Sequence, residues 1–153
     1  MPRLGAATQI MVAVCFVVAA CRQGVVVPEP STPPFSGITA TSADGTVVQN
    51  DPDDWKPLQG VNARVYPVHP NPCTRDGSFE IMFVLTQRDS VIVTLNDTPD
   101  HVVDVIIQQS VNQGEHRITP FIRNVSPGLY RLYVTVVHTT IVASTYGDVQ
   151  INP

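Results

Sequence analysis

Three cysteines, four histidines and thirteen acidic residues are the groups with which this 153-residue chain could do chemistry. Only one of them sits in a telling position. Cys21 follows Val18, Ala19 and Ala20, directly behind an unbroken apolar run from Ile10. His69, His101, His116 and His138 show no pairing at zinc-ligand spacing. Asp51, Asp53 and Asp54 cluster before Trp55, but the glycine and distal glutamate of a calcium loop are missing. Asp104, Ser110 and His116 make a triad only on paper, because triads are defined by geometry and not by chain order. There is no nucleophile elbow, phosphate loop or cysteine pair. The expectation is a non-catalytic protein with no metal site and no cofactor.

Residues 1–20 read as an export signal. Arg3 supplies a short positive region, and Ile10–Ala20 is too short to cross a bilayer, which takes about 20 apolar residues. Val18-Ala19-Ala20-Cys21 resembles a bacterial lipobox. The resemblance implies cleavage before Cys21, a diacylglyceryl group on its sulfur and acylation, such as palmitate, of its freed amine. Two or more acyl chains anchor stably, at about 0.8 kcal/mol per buried CH₂. Arg22 follows the cysteine where an aspartate would mark retention, so the resemblance implies the outer membrane. Cys15 would leave with the signal and Cys21 would be acylated, which leaves Cys73 as a small buried apolar residue without a disulfide.

The remainder must hold itself together by packing. The net charge is −4 with a single lysine, Lys56, which excludes the basic footprint of a nucleic-acid binder. With 43% hydrophobic and 14% charged residues the chain is too apolar for wholesale disorder. Residues 21–60, with Pro28, Pro30, Pro33 and Pro34 among Ser, Thr and Glu, read as a lipidated N-terminus and flexible linker. A short strand pair around Asp44-Gly45 is its only expected order.

From Val61 to Pro153 short β-branched and aromatic runs alternate with turn residues about every ten positions, the signature of an all-β sandwich. Seven antiparallel strands are expected, at about 61–65, 79–85, 91–95, 102–107, 116–122, 130–136 and 141–151. Pro120 should push its strand to a sheet edge, and Gly147-Asp148 should form a bulge. Three landmarks occur in order: Pro70-Asn71-Pro72, Gly114-Glu115-His116 and Ser126-Pro127-Gly128-Leu129-Tyr130. With them the region resembles the hook-cap immunoglobulin-like domain and the related sorting domains of type IX secretion cargo. The resemblance implies an immunoglobulin-like β-sandwich in which Pro70, Asn71, Pro72, Gly114, His116, Gly128 and Tyr130 are structural. Cys73 departs from the phenylalanine usual in that family. No cargo-sized segment precedes the domain, so the fold is carried over and the family's sorting or hook-cap activity is not.

Binding then remains. Alternation places Arg131 and Tyr133 opposite the core residues of their strand, as a candidate contact pair beside Trp55. The expected protein is a structural or interaction module, anchored to the cell envelope by lipid and presenting its sandwich to an envelope or surface protein. The alternatives are an accessory lipoprotein for assembly or secretion of a surface complex, and a small carbohydrate-binding module using its few aromatics.

Overall fold

Period-two alternation carries most of the chain into strands. In the computed structural model, which describes residues 35, 37–75, 78–122 and 125–153, ten strands and no helix form among the described residues. They are β1 (Ala40–Thr41), β2 (Val47–Gln49), β3 (Ala63–Val65), β4 (Cys73–Thr74), β5 (Ile81–Leu85), β6 (Asp89–Thr98), β7 (His101–Val111), β8 (Gly114–Ile118), β9 (Gly128–His138) and β10 (Ile141–Asn152). One sheet has the order β4-β10-β9-β6-β7, a second β3-β5-β8, and β1 and β2 form a separate hairpin. Every described residue belongs to one compact unit, Thr32–Pro153.

Both larger sheets feed one buried apolar cluster. Ile81, Phe83 and Leu85 of β5 enter it from one sheet. Val91, Val93 and Leu95 of β6 and Leu132, Val134 and Val136 of β9 enter it from the other. All nine are at most 1% exposed. Burying each such side chain contributes roughly 1.5–3 kcal/mol. Cys73 lies in the same cluster as a free thiol, and burial raises its pKa, which suits a packing residue and not a nucleophile.

The seven expected runs all form strands, and the hairpin around Gly45 is β1–β2. Four details differ. The pairing of β4 with β10 is parallel, Cys73 opposite Ile151, so the five-stranded sheet is not wholly antiparallel. Pro120 lies two residues beyond β8, which is nevertheless an edge strand. No bulge occurs at Gly147-Asp148, where the ladder runs unbroken through Gly147 opposite Leu132 and Asp148 opposite Arg131. The irregularities sit instead between β6 and β7, from Val93 to Thr98.

The fourth difference concerns the linker, which does not extend to residue 60. Thr39, Thr41, Asp54 and Leu58 are buried, and residues 37–60 are part of the folded unit. Their polar composition reads as solvated, yet their polar groups are consumed by the sheet. The Trp55 backbone N–H donates to the Tyr146 carbonyl at 2.6 Å. The Trp55 ring then lies so close over Gly147 that a Cβ there would collide with Cε2 and Cζ2. Glycine at 147 is therefore a seat for an indole, not a backbone kink. Gly147→Ala is expected to destabilise the fold by about 1–3 kcal/mol, as overpacking does. Chemical denaturation followed by fluorescence of Trp55, the sole tryptophan, measures both the loss and the displacement of the ring.

Candidate functional site

The free edge of β10 is where the sequence-marked residues converge. Beyond its pairing with β9, this strand has outward backbone groups at Tyr146, Asp148 and Gln150, before β4 takes over at Ile151. Each finds a partner that is not a strand. Trp55 N–H serves the Tyr146 carbonyl. The Asp54 carboxylate accepts from Asp148 N–H at 2.9 Å and from Thr39 N–H at 2.8 Å. Asn71 Nδ2 donates to the Asp148 carbonyl and to the Thr39 carbonyl, both at 2.9 Å, and Asn71 Oδ1 accepts from Gln150 N–H at 3.0 Å. The edge is thus closed by two side chains and a turn.

Asn71 owes its place to the prolines on either side. Pro70 and Pro72 cannot donate to a ladder, so only alternate residues of this segment can pair. His69 pairs with Glu80, Asn71 with Thr41, and Cys73 with Ile151. The segment therefore crosses from the three-stranded sheet to the five-stranded one with Asn71 midway, and Asn71 is fully buried.

Beneath this edge lies an ion pair. Arg131 Nε and Nη2 hold Asp148 Oδ1 and Oδ2 at 2.6 and 2.8 Å, with both side chains at most 1% exposed. The Tyr146 and Phe35 rings lie over the guanidinium at 4.1 and 4.5 Å, within cation–π range. Burial opposes the charge of Arg131, but the bond to Asp148 and its field raise the pKa above the usual arginine value. Arg131 is therefore a structural anchor, and its expected role as an exposed contact is corrected. Alternation does place it on the face away from the apolar cluster, but Phe35 and the Asp54 segment cover that face. Tyr133 is half-buried and packs on Tyr146 across the ladder, 5.8 Å between ring centres. Trp55 is half-buried on Gly147, and its Nε1 has no hydrogen-bond partner.

The Tyr130 ring is buried and its hydroxyl donates to the Ser126 carbonyl at 2.7 Å, the geometry of a tyrosine corner. A Cβ on Gly128 would meet that ring only at ordinary contact distance, so no close approach demands glycine there. Gly114 has φ +135°, a conformation that favours glycine. His116 stacks on Phe83, 5.2 Å between centres, and bonds through Nε2 to the Asn112 carbonyl. Val18, Ala19, Ala20 and Cys21 lie outside the described residues.

Elsewhere the described residues hold no group of three or more His, Cys, Asp or Glu side chains able to bind a metal. Three His–carboxylate pairs do occur, His69–Glu80 at 3.3 Å, His101–Asp97 at 2.7 Å and His138–Asp89. His138 Nδ1 lies 2.6 Å from the buried Asp89 Oδ1 and 2.8 Å from Gln87 Nε2. Sequence reasoning met Asp54 only in an acidic cluster and Asp148 only at an expected bulge, and assigned neither to this edge. The signal that could have found them is a carboxylate beside Trp55 and another inside a strand run. No family model, no curated protein and no solved structure matches the chain.

Asp54 gives this site a pH signature. Burial lifts its pKa from the usual 3.8 to about 6, against the hydrogen bonds from Asp148 and Thr39. Between those values the folded chain binds a proton that the unfolded chain lacks. Asp54 thus lowers stability above pH 6, and that penalty disappears as the pH falls towards 4. The stability of wild type relative to Asp54→Asn is expected to rise by up to about 3 kcal/mol from pH 7 to pH 4, as read by urea denaturation at each pH. Arg131→Met, which strands the buried Asp148 without its cation, is expected to cost about 3–5 kcal/mol at pH 7. Thermal unfolding at pH 7 checks it.

Proposed function

We propose that this is a non-catalytic lipoprotein of the cell envelope, anchored through Cys21, that presents an immunoglobulin-like β-sandwich to a protein partner. The sequence Val18-Ala19-Ala20-Cys21 behind an apolar run carries the anchoring. Two sheets around one apolar cluster, with a buried Tyr130 corner and the Pro70-Asn71-Pro72 crossing, support an immunoglobulin-like fold of the hook-cap type. Arg22 favours the outer membrane.

The folded unit changes the picture of the tether. Residues 37–60 are occupied in the fold, so the spacer between Cys21 and the stacked ring of Phe35 is residues 22–34. At about 3.3–3.6 Å per extended residue, thirteen residues reach no further than about 45 Å. The domain therefore works close to its membrane, and its partner is a neighbour in the envelope.

A carbohydrate module draws less support. Of the aromatics it would use, Trp55, Tyr133 and Tyr146 pack on Gly147, on one another and on Arg131, and the Tyr66 ring is covered by Arg64. The accessory role in assembly shares the anchoring and short reach, and differs only in the partner.

Metabolic labelling with an alkyne analogue of palmitate tests the anchor. Wild type should carry the label and sediment with membranes. Cys21→Ser should lose the label, keep its signal peptide and run as the larger precursor. A labelled Cys21→Ser chain, or an unlabelled wild type, refutes the reading.

A further inference from the structure

We propose that β7 is the docking strand of the domain and that it takes β7 of a second copy, antiparallel about a two-fold axis near Ile106. The inference deepens the presentation reading by naming what the free edge binds, and rests on it only for location.

The edges of the two larger sheets are not alike. Sheet edges are ordinarily blunted by charge, by proline, by shortness or by cover. Along β10 from Tyr146 to Gln150 the cover is Trp55, Asp54 and Asn71. β8 has five residues and carries Glu115 and Arg117, the latter bonded to Glu115 and Glu80. β3 has three residues, with Arg64 over the Tyr66 ring. β7 is the exception. It is eleven residues long, ends its sheet, and contains no proline, lysine or arginine. Its one acid is Asp104. Val102, Val103 and Val105 are 46%, 36% and 50% exposed. Two extra residues, Val103 and Ile106, interrupt its pairing with β6, and this breaks the alternation that would otherwise hide some of these valines.

The charges at the two ends of β7 are complementary to a second copy in one orientation. The turn at one end of β7 is acidic, with Asp97 and Asp100 both exposed. At the other end, Val111 pairs with Asp89, and the exposed Arg88 precedes it. In an antiparallel pair of copies the acidic turn of each meets the Arg88 end of the other. A parallel pair would set acid against acid. With the axis near Ile106, Asp104 falls opposite Gln108 and not opposite itself. The irregular half of each strand, His101–Val105, lies against the regular half of its partner, Ile107–Val111, with Ile106 opposite itself. The contact is the same patch on both copies, as a closed two-fold dimer requires. It joins two five-stranded sheets into one.

Sedimentation velocity of the full chain in detergent tests this, with far-UV circular dichroism and Trp55 fluorescence as checks of folding. Wild type should reach dimer at micromolar concentration. Val105→Lys, at an exposed position, should weaken the dimer at least about tenfold, since lysine on an edge blocks pairing. Arg88→Glu and Asp100→Arg should each weaken it roughly fivefold, and the double variant should recover the wild-type affinity. The charge swap touches only exposed side chains, so it remains decisive if Val105→Lys fails to fold. Three results would overturn self-pairing: a wild type still monomeric at about 100 μM, a dimer indifferent to Val105→Lys, or a double swap no tighter than the single ones. None of them bears on palmitate labelling of Cys21, so the anchoring reading stands or falls separately.

Discussion

The Arg131–Asp148 pair is the constraint on which the rest of the domain turns. Taking two charges out of water costs several kcal/mol per ion, and a buried pair recovers that only with near-ideal geometry and full hydrogen bonding. Here the geometry is bidentate and two aromatic rings cover the guanidinium. Asp54, a second buried acid, is held nearby by two backbone donors. Burial, and in smaller part the negative charge of Asp148, account for the direction of the Asp54 shift. The pair also fixes position, since Phe35 and Asp54 come from the N-terminal segment and Arg131 and Asp148 from neighbouring strands.

Sealing one edge of a sheet has a consequence at the other. A five-stranded sheet has two edges, and the chain spends Thr39, Asp54, Trp55 and Asn71 on β10. Among the described residues no comparable group is spent on β7. Edge protection depends on local chemistry, and the contrast between a strand covered by a carboxylate, an amide and an indole and one that offers valines is a property of the sequence. The bulges beside β7 sharpen the contrast, because they turn apolar side chains outward that regular pairing would share with the core.

The strands were legible because alternation is a local signal. Phe79, Ile81, Phe83 and Leu85, or Tyr130, Leu132, Val134 and Val136, announce an inner face without reference to anything distant. Residues 37–60 were not legible, for a physical reason. Their partners are backbone groups of β10, about ninety positions away, and hydrogen bonds to backbone leave no mark on the partner's side chains. Asp54 therefore looked solvated. Arg131 was misread by the same logic: alternation says correctly that it faces away from the apolar cluster, but not that another segment covers that face. Gly147 was misread because glycine serves both to bend a backbone and to admit a ring, and only the position of Trp55 distinguishes the two.

The clasp also shapes how an anchored domain would bear load. If the chain is held at Cys21, tension enters the fold at Phe35 and passes to Arg131, and through Thr39 and Asp54 to the backbone of Asp148. Both routes end on β9 and β10, which pair along eleven residue positions at the centre of the larger sheet. A pull directed along a long antiparallel ladder loads many hydrogen bonds together, whereas a pull on an edge hairpin such as β1–β2 would open them singly. Entry through the clasp would bring tension to β9 and β10. It would leave β7, beyond β9 and β6, outside that path.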